Sequence, residues 1–364
     1  MQKFMKGMRL VSRIRWFLAK AISYTKRSLL LSTESLSLSS EARIVDEKNS
    51  PGKFPNIGEL YEDKNFISNE DETYFFPKKQ ARVLEQGILD LESNILYDSE
   101  RRLVPDYSSW PPEFITLNRL PSSESIVRIF SKYESSEPVL FFPDAGFYHF
   151  LIENLPNFLW LQSMFQNTPI IAREKMSRFA EEVLEILNLE VYREIDPVIS
   201  LSNLIYVRQF GTTGWPNPSD IKILRGAFSV PKIREPQRKT YVSRSSSRRS
   251  PRFERELESF LANLGWDIVH LERHNFEKQI SIIANSRKLM GTHGAGLAQA
   301  VWLNKKSTLI EIRPKERPAC FSRLASVCQL NYRHFELFPN SYYETARLPL
   351  ELAAFLESLE EISE

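Results

Sequence analysis

Residues 287–314 read RKLMGTHGAGLAQAVWLNKKSTLIEIRP and set Gly291, Gly294 and Gly296 around His293, between a short apolar run and a helical segment. A glycine turn between strand and helix lets backbone approach a ligand, and the helix N-terminus offers free N–H groups and the positive end of a dipole. A phosphorylated ligand suits His293, Gly294, Ala295 and Gly296, although glycine turns also arise for steric reasons alone. Upstream, Arg244 directly follows an apolar run and opens SRSSSRRSPR, which also holds Arg248, Arg249 and Arg252. A guanidinium fork matches phosphate oxygens, with Arg244 best placed; a solvated loop is the alternative for Arg248 and Arg249. Glu311 ends an apolar strand, where a carboxylate is costly without partners, and ribose hydroxyls could be those partners. His149, Glu153 and Asn157 recur at i, i+4 and i+8 beside the apolar stripe Leu151, Ile152, Leu155, Phe158, Leu159. A solvated helix face gives the same spacing, but this one is short, lacks Lys and Arg, and begins where a strand ends.

Alternating strands and helices must position these groups. The first series runs from strand 137–142 into the His149 helix, where Pro156 should kink or restart the helix. Strand 169–172, a helix at 177–187 capped by Ser177, strand 204–207 and a helix at 219–228 follow. The basic, proline-punctuated stretch 230–239 marks a domain boundary. The second series is strand 240–243, a helix capped by Ser250 with Pro251 at its first position, strand 266–269, a helix from Asn275, strand 288–290, the glycine turn and strand 308–312. A helix near 317–327 and a strand near Tyr332 complete it. Alternation around Ile88, Leu89, Leu91, then Ile95, Leu96, Tyr97, then Leu103, Val104 predicts short antiparallel strands ahead of both series, before a loop with Pro105, Pro111, Pro112 and Pro121. Leu352, Phe355, Leu356 and Leu359 form one face of a last helix, long enough to pack back on the first domain. The fold expected is α/β, with two Rossmann-like domains facing a cleft. Its divisions are a basic amphipathic helix at 1–31, linker at 32–80, an acceptor-side domain at 81–230, a nucleotide-binding domain at 231–340 and a C-terminal helix at 341–364.

With 364 residues and 42% apolar content the chain can bury a full core. The first 33 residues carry eight basic and no acidic side chains, leaving 40 basic against 46 acidic in the rest. That balance argues against nucleic acid as partner, which needs a basic face on the folded body. Residues 8–27 instead have the pattern of a helix lying on an anionic membrane surface, a helix packed on its own protein being the alternative. No run of about 18 apolar residues is present, and the N-terminus lacks a signal-peptide pattern. Cys320 and Cys328 fall in a helical segment, about 12 Å apart, too far for a disulfide. With no Asn-x-Ser/Thr sequon, this fits a reducing cytoplasm. Asp-x-Asp, zinc spacing, G-x-S-x-G and G-x-G-x-x-G are all absent, so no metal or dinucleotide cofactor is expected.

The run from Tyr241 to Leu303, with its strand-Ser-Arg start, Arg-rich loop, Gln279-Ile280 helix and G-x-HGAGL turn, resembles the family-61 glycosyltransferases. The earlier FYHFLIENLPNFLWL is similar to the Y-H-x-x-x-E-x-L-P segment of that family, and the hairpins from Glu85 to Asp106 look like its bacterial members. The resemblance implies a GT-B fold, a nucleoside-diphosphate-sugar donor, inversion at the anomeric carbon and no metal. By position it carries over His149, Glu153, Arg244, His293, Gly294, Gly296 and Glu311. Glu153 or His149 would then be the base, and Arg244, Arg249, His293, Gly294, Ala295, Gly296 and Glu311 would hold the donor. A glycan or lipid-linked acceptor in cell-surface polysaccharide synthesis, on the inner face of the cell membrane, would follow. The chain departs from the pattern at Glu254-Arg255 in the long helix and at Ala298-Gln299 after the turn, and the latter motivates a second expectation: a catalytically silent, membrane-associated nucleotide-binding module.

Overall fold

The computed structural model describes residues 79–91, 93–100, 102–107, 138–196, 198–209, 213–315 and 317–361, with short strands β1 (Arg43–Ile44), β2 (Lys64–Ile67) and β3 (Thr73–Phe76). The basic helix expected over 8–27, the linker apart from those strands, and Pro111, Pro112 and Pro121 lie outside these residues. Within the stretch read as linker, β2 and β3 pair as an antiparallel hairpin, and β1 pairs with β4.

The first sheet is mixed. The hairpin β4 (Ala81–Asp90) and β5 (Ile95–Asp98) joins it through β9 (Val198–Val207), which pairs antiparallel with β4 along its whole length. The antiparallel strands expected before the first series therefore share that series' sheet. On the other side β9 runs parallel to β6 (Val139–Phe141), followed by β7 (Ile170–Arg173) and β8 (Tyr192–Glu194). The short apolar runs of β6 and β7 are buried, as strands covered on both faces must be.

The second sheet is wholly parallel, in the order β11 (Asp267–Val269), β10 (Arg238–Val242), β12 (Ser286–Thr292), β13 (Thr308–Pro314), β14 (Asn331–Leu337). From β10 the chain steps outward to β11, then crosses back to add β12, β13 and β14 on the other side. The strand order reverses between β10 and β12, and in open parallel sheets that crevice is where ligands bind. The first sheet has the same device, since β6 leads to β7 and β8 on one side while β9 returns to its other side.

One continuous apolar cluster joins the two sheets, with Phe228 from the first series against Phe276 and Trp302 from the second, ring centroids 5.3 and 5.4 Å apart. Arg225 crosses the same boundary to donate to the carbonyls of Val301 and Leu303 at 2.7 and 2.8 Å. The C-terminal helix (Leu350–Glu361) does not return to the first sheet as expected. It sets Leu352, Leu356 and Leu359 against Tyr241, Met290, Ile310 and Ile312, the outer face of the second sheet, beside Leu257 and Leu261 of the helix Glu254–Asn263. That helix also starts later than Ser250 predicts: Pro251 to Phe253 turn first, and Glu254 is drawn inward by hydrogen bonds.

Candidate active site

Arg244 follows β10 and His293 follows β12, so the two lie at the carboxyl ends of adjacent strands, flanking the reversal point of the second sheet. The His293 backbone N–H still donates to the Ile312 carbonyl at 2.7 Å, fixing the residue to the sheet edge. Its Nδ1 meets Glu311 Oε1 at 2.5 Å, and the Tyr332 hydroxyl donates to Glu311 Oε2 at 2.5 Å. Glu311 is wholly buried. Its partners in the protein are an imidazole and a phenol, and the carboxylate orients the ring: an ionised carboxylate only accepts, so Nδ1 carries a proton towards it and Nε2 is left for the other side. The Arg244 guanidinium donates to the His293 carbonyl and lies on Gly294, where an added Cβ would come within 2.5 Å of its Cζ. Gly291 has a parallel purpose, because a Cβ there would meet Leu297 at 2.9 Å, and Leu297 belongs to the 3-10 helix Ala295–Trp302 that packs over β12. The first N–H groups of that helix, at Ala295 and Gly296, have no partner within it.

On the first sheet, β6 leads into a π-helical turn, His149–Asn154, which passes into an α-helix at Leu155–Met164. The restart expected at Pro156 takes this form. Proline offers no N–H to the carbonyl four residues back, and the wider turn, in which the Leu155 N–H reaches the Phe150 carbonyl, absorbs the mismatch. His149 Nδ1 meets Glu153 Oε2 at 2.8 Å. Glu153 is buried, and its Oε1 accepts from the Thr213 hydroxyl at 3.0 Å and the Gly214 N–H at 2.8 Å, both from the segment after β9. Asn157, also buried, donates to the Glu153 carbonyl at 2.8 Å and accepts from Lys79 at 2.5 Å, while Lys79 forms an ion pair with Asp220. Burial pushes the Lys79 ammonium down and the Asp220 carboxyl up, each opposed by its partner. His149, Glu153 and Asn157 therefore form an inward-facing polar column and not a solvated face.

Both histidines line one cavity of about 320 Å³, with Arg244, Arg249, Gly294, Ala295, Thr213 and Gly214. Among the described residues no carboxylate lines it. An aromatic series links its walls: His293 to Phe321 at 5.4 Å, Phe321 to Tyr148 at 5.7 Å, Tyr148 to His149 at 5.6 Å, all edge to face. Arg317 and Tyr343, hydrogen-bonded at 2.7 Å, close the rim. Cys320 also faces in, but burial pushes its thiol up to about 12, so it is no thiolate nucleophile at neutral pH. Cys320 and Cys328 are both free. Of the residues singled out in the sequence, Gly296, Glu153 and Glu311 stand behind the lining; Arg248 and Arg252 do not join it.

At the two departures from the family pattern, Ala298, Gln299 and Glu254 are buried and stand outside the lining, while Arg255 is exposed. Gln299 is fully buried, donating to Gln279 at 2.5 Å and accepting from the Trp302 indole at 2.6 Å. Glu254 accepts from the Tyr241 hydroxyl at 2.8 Å and from the Arg244 backbone N–H at 2.6 Å, so it fixes where Arg244 leaves the sheet. Thr213, Gly214, Tyr332, Arg317 and Tyr343 escape a sequence reading because each comes from a segment without a motif. Only Glu311, a carboxylate at the end of an apolar strand, signalled that such partners must exist.

Residues 147–310 match the family model of glycosyltransferase 61. The matched region holds His149, Glu153, Arg244, Arg249 and His293 and ends one residue before Glu311. Over 107 residues the chain is 36% identical to an EGF domain-specific O-linked N-acetylglucosamine transferase of Drosophila melanogaster, a match covering 28% of this chain and 21% of that protein. The chain thus spans about a fifth of the length of this curated relative. Since that relative is an insect protein, it lends no support to the bacterial, capsule-type setting expected from the hairpins. Over residues 147–310, a little under half of its length, this chain is thus similar to the glycosyltransferase 61 family.

Proposed function

We propose that the protein is an inverting, metal-independent glycosyltransferase of GT-B type that moves a sugar from a nucleoside-diphosphate sugar to an acceptor hydroxyl. The observation that carries this reading is the pair of histidine–carboxylate dyads opening into one cavity lined also by Arg244 and Arg249. The donor diphosphate lies on the second-sheet side, against Arg244, Arg249, the Gly294 turn and the N–H groups of Ala295 and Gly296. His293 acts as an imidazolium: its Nδ1–H stays on Glu311 and its second proton, on Nε2, is donated to the leaving oxygen. On the opposite wall His149 is the base, and Glu153 orients it. The acceptor O–H gives its proton to His149 Nε2 as the oxygen bonds to the anomeric carbon, and the electron pair of the breaking bond goes to the diphosphate oxygen. Cationic and N–H donors aimed at the leaving diphosphate stabilise the charge that grows in the transition state, which is where catalysis is won.

The acceptor is a glycan or a lipid-linked glycan, and residues 8–27 keep the enzyme at a membrane surface. The alternative of a silent module rested on Ala298-Gln299 after the turn, and neither residue is among those lining the cavity. Two measurements test the reading. His149→Gln is expected to lower transfer or donor hydrolysis by about 10²- to 10⁴-fold while nucleoside-diphosphate affinity stays within about threefold. Arg244→Ala removes a charged hydrogen bond and is expected to weaken that affinity by about 10- to 100-fold. If neither Arg244→Ala nor His293→Ala weakens nucleoside-diphosphate binding in calorimetry, the donor site is misassigned.

A further inference from the structure

Gly214 is the hinge of an arrangement that the family motifs do not contain. It sits at φ +80°, in the left-handed region that only glycine adopts without strain, and its N–H donates to Glu153 Oε1 at 2.8 Å. Thr213 donates to the same oxygen. Segment 213–215 is therefore a strap along the Glu153 end of the His149–Glu153 dyad, and the strap gives the dyad's carboxylate two donors. The strap is secured from the other sheet. The Arg323 guanidinium, on the helix Cys320–Val327, stacks over the Trp215 indole with its carbon 3.9 Å from the ring centroid, and its Nη1 reaches the Gly214 carbonyl at 3.4 Å. A Cβ at Gly214 would lie 3.7 Å from both Arg323 Nη1 and Cys320 Cβ, so the strap is packed directly on that helix.

We infer that Arg323 is a positioning residue for the first-sheet dyad: from the second-sheet side it clamps Trp215 and Gly214, the strap holds Glu153, and Glu153 holds the His149 ring. The assignment of a chemical task to His149 rests on the glycosyltransferase reading; the clamp itself does not. Its consequence is that the acceptor-side dyad is complete only when the helix carrying Arg323 is docked against the strap. A guanidinium over an indole suits this task, since the stacked cation is attracted by the ring face while its N–H groups remain available to a carbonyl.

The test is proton NMR of the full chain. Each dyad places an imidazole Nδ1–H against a carboxylate, which shifts that proton far downfield and slows its exchange. His149→Gln and His293→Gln assign the two resonances by removing one each. Arg323→Ala is expected to remove the His149 resonance and leave that of His293 in place, the latter reporting that the second sheet remains folded. Should Arg323→Ala lose both, Trp215→Ala breaks the same clamp from the other side and is read by the same criterion. Persistence of the His149 resonance in the variant that keeps the His293 signal overturns the proposal. In turnover assays Arg323→Ala is expected to lower kcat by up to about 100-fold with donor KM unchanged, because misplacing a base by an ångström costs rate and not donor affinity. The resonance needs no turnover, so a clamp that holds in a protein with no transferase activity would count against the proposed function alone.

Discussion

Glu254 shows how one side chain can serve geometry at an electrostatic cost. It is 2% exposed, and burial pushes its carboxyl above the usual value, opposed by the Arg244 backbone N–H and the Tyr241 hydroxyl. A group with a raised native pKa binds its proton more tightly when folded. Its contribution to stability is therefore fullest below the unfolded value near 4.5 and is lost as pH rises through the native value. Glu254→Gln keeps an acceptor for both donors and has no such titration. The variant's melting temperature relative to wild type is expected to rise between pH 4 and pH 7, by about 1.4 kcal/mol of stability for each unit by which the native pKa is raised; a difference independent of pH would contradict this. Gly294 makes a steric argument at the same scale. Gly294→Ala must displace the Arg244 guanidinium, a flexible end, so the fold should persist while nucleoside-diphosphate affinity falls about tenfold or more. Unchanged affinity in calorimetry would show that Arg244 does not need this seat.

Among the elements, the π-turn and the strap decide the site. Alternation and apolar runs made β6, β7, β10, β12 and β13 legible in the sequence, and glycine spacing marked the turn at His293. Why β8 was missed is equally physical: Tyr192–Glu194 is an exposed edge strand, YRE, with no apolar run. The π-turn was legible only as a disturbance at Pro156, because a proline reports a lost N–H and not how the chain compensates. The strap could not be read at all, since its positive-φ glycine gains meaning only from Glu153 and Arg323, 61 and 109 residues away in the chain. Gly214→Ala is expected to cost about 1–2 kcal/mol in stability and to lower turnover as well; an unaffected melting temperature would contradict the positive φ. The last helix was legible by its apolar face but not by its address, since both sheets offered apolar surface. Leu356→Ala should cost about 2–5 kcal/mol, read by chemical denaturation, because Leu356 fills the outer face of the second sheet.

For the whole molecule, the arrangement that matters is two reversal points facing one cavity. In each sheet the strand order reverses beside a histidine held by a buried carboxylate, and both histidines line the one cavity; in the proposed function the donor is held on one side of it and the acceptor activated on the other. Among the described residues no helix is long and apolar enough to cross a membrane. Deleting residues 1–30 is expected to move the protein from a membrane fraction to the supernatant without loss of nucleotide binding, and unchanged partitioning would remove the membrane proposal. The central claim, a divided cavity with leaving group and base on opposite walls, is tested most directly by calorimetry of a nucleoside-diphosphate panel against wild type, Arg244→Ala and His149→Gln, with turnover of the matching nucleotide sugar measured on the same preparations. The expected result is a diphosphate that binds wild type and His149→Gln alike and Arg244→Ala about 10- to 100-fold more weakly, with turnover lost in His149→Gln. Equal binding by all three proteins, or full turnover by His149→Gln, would contradict it.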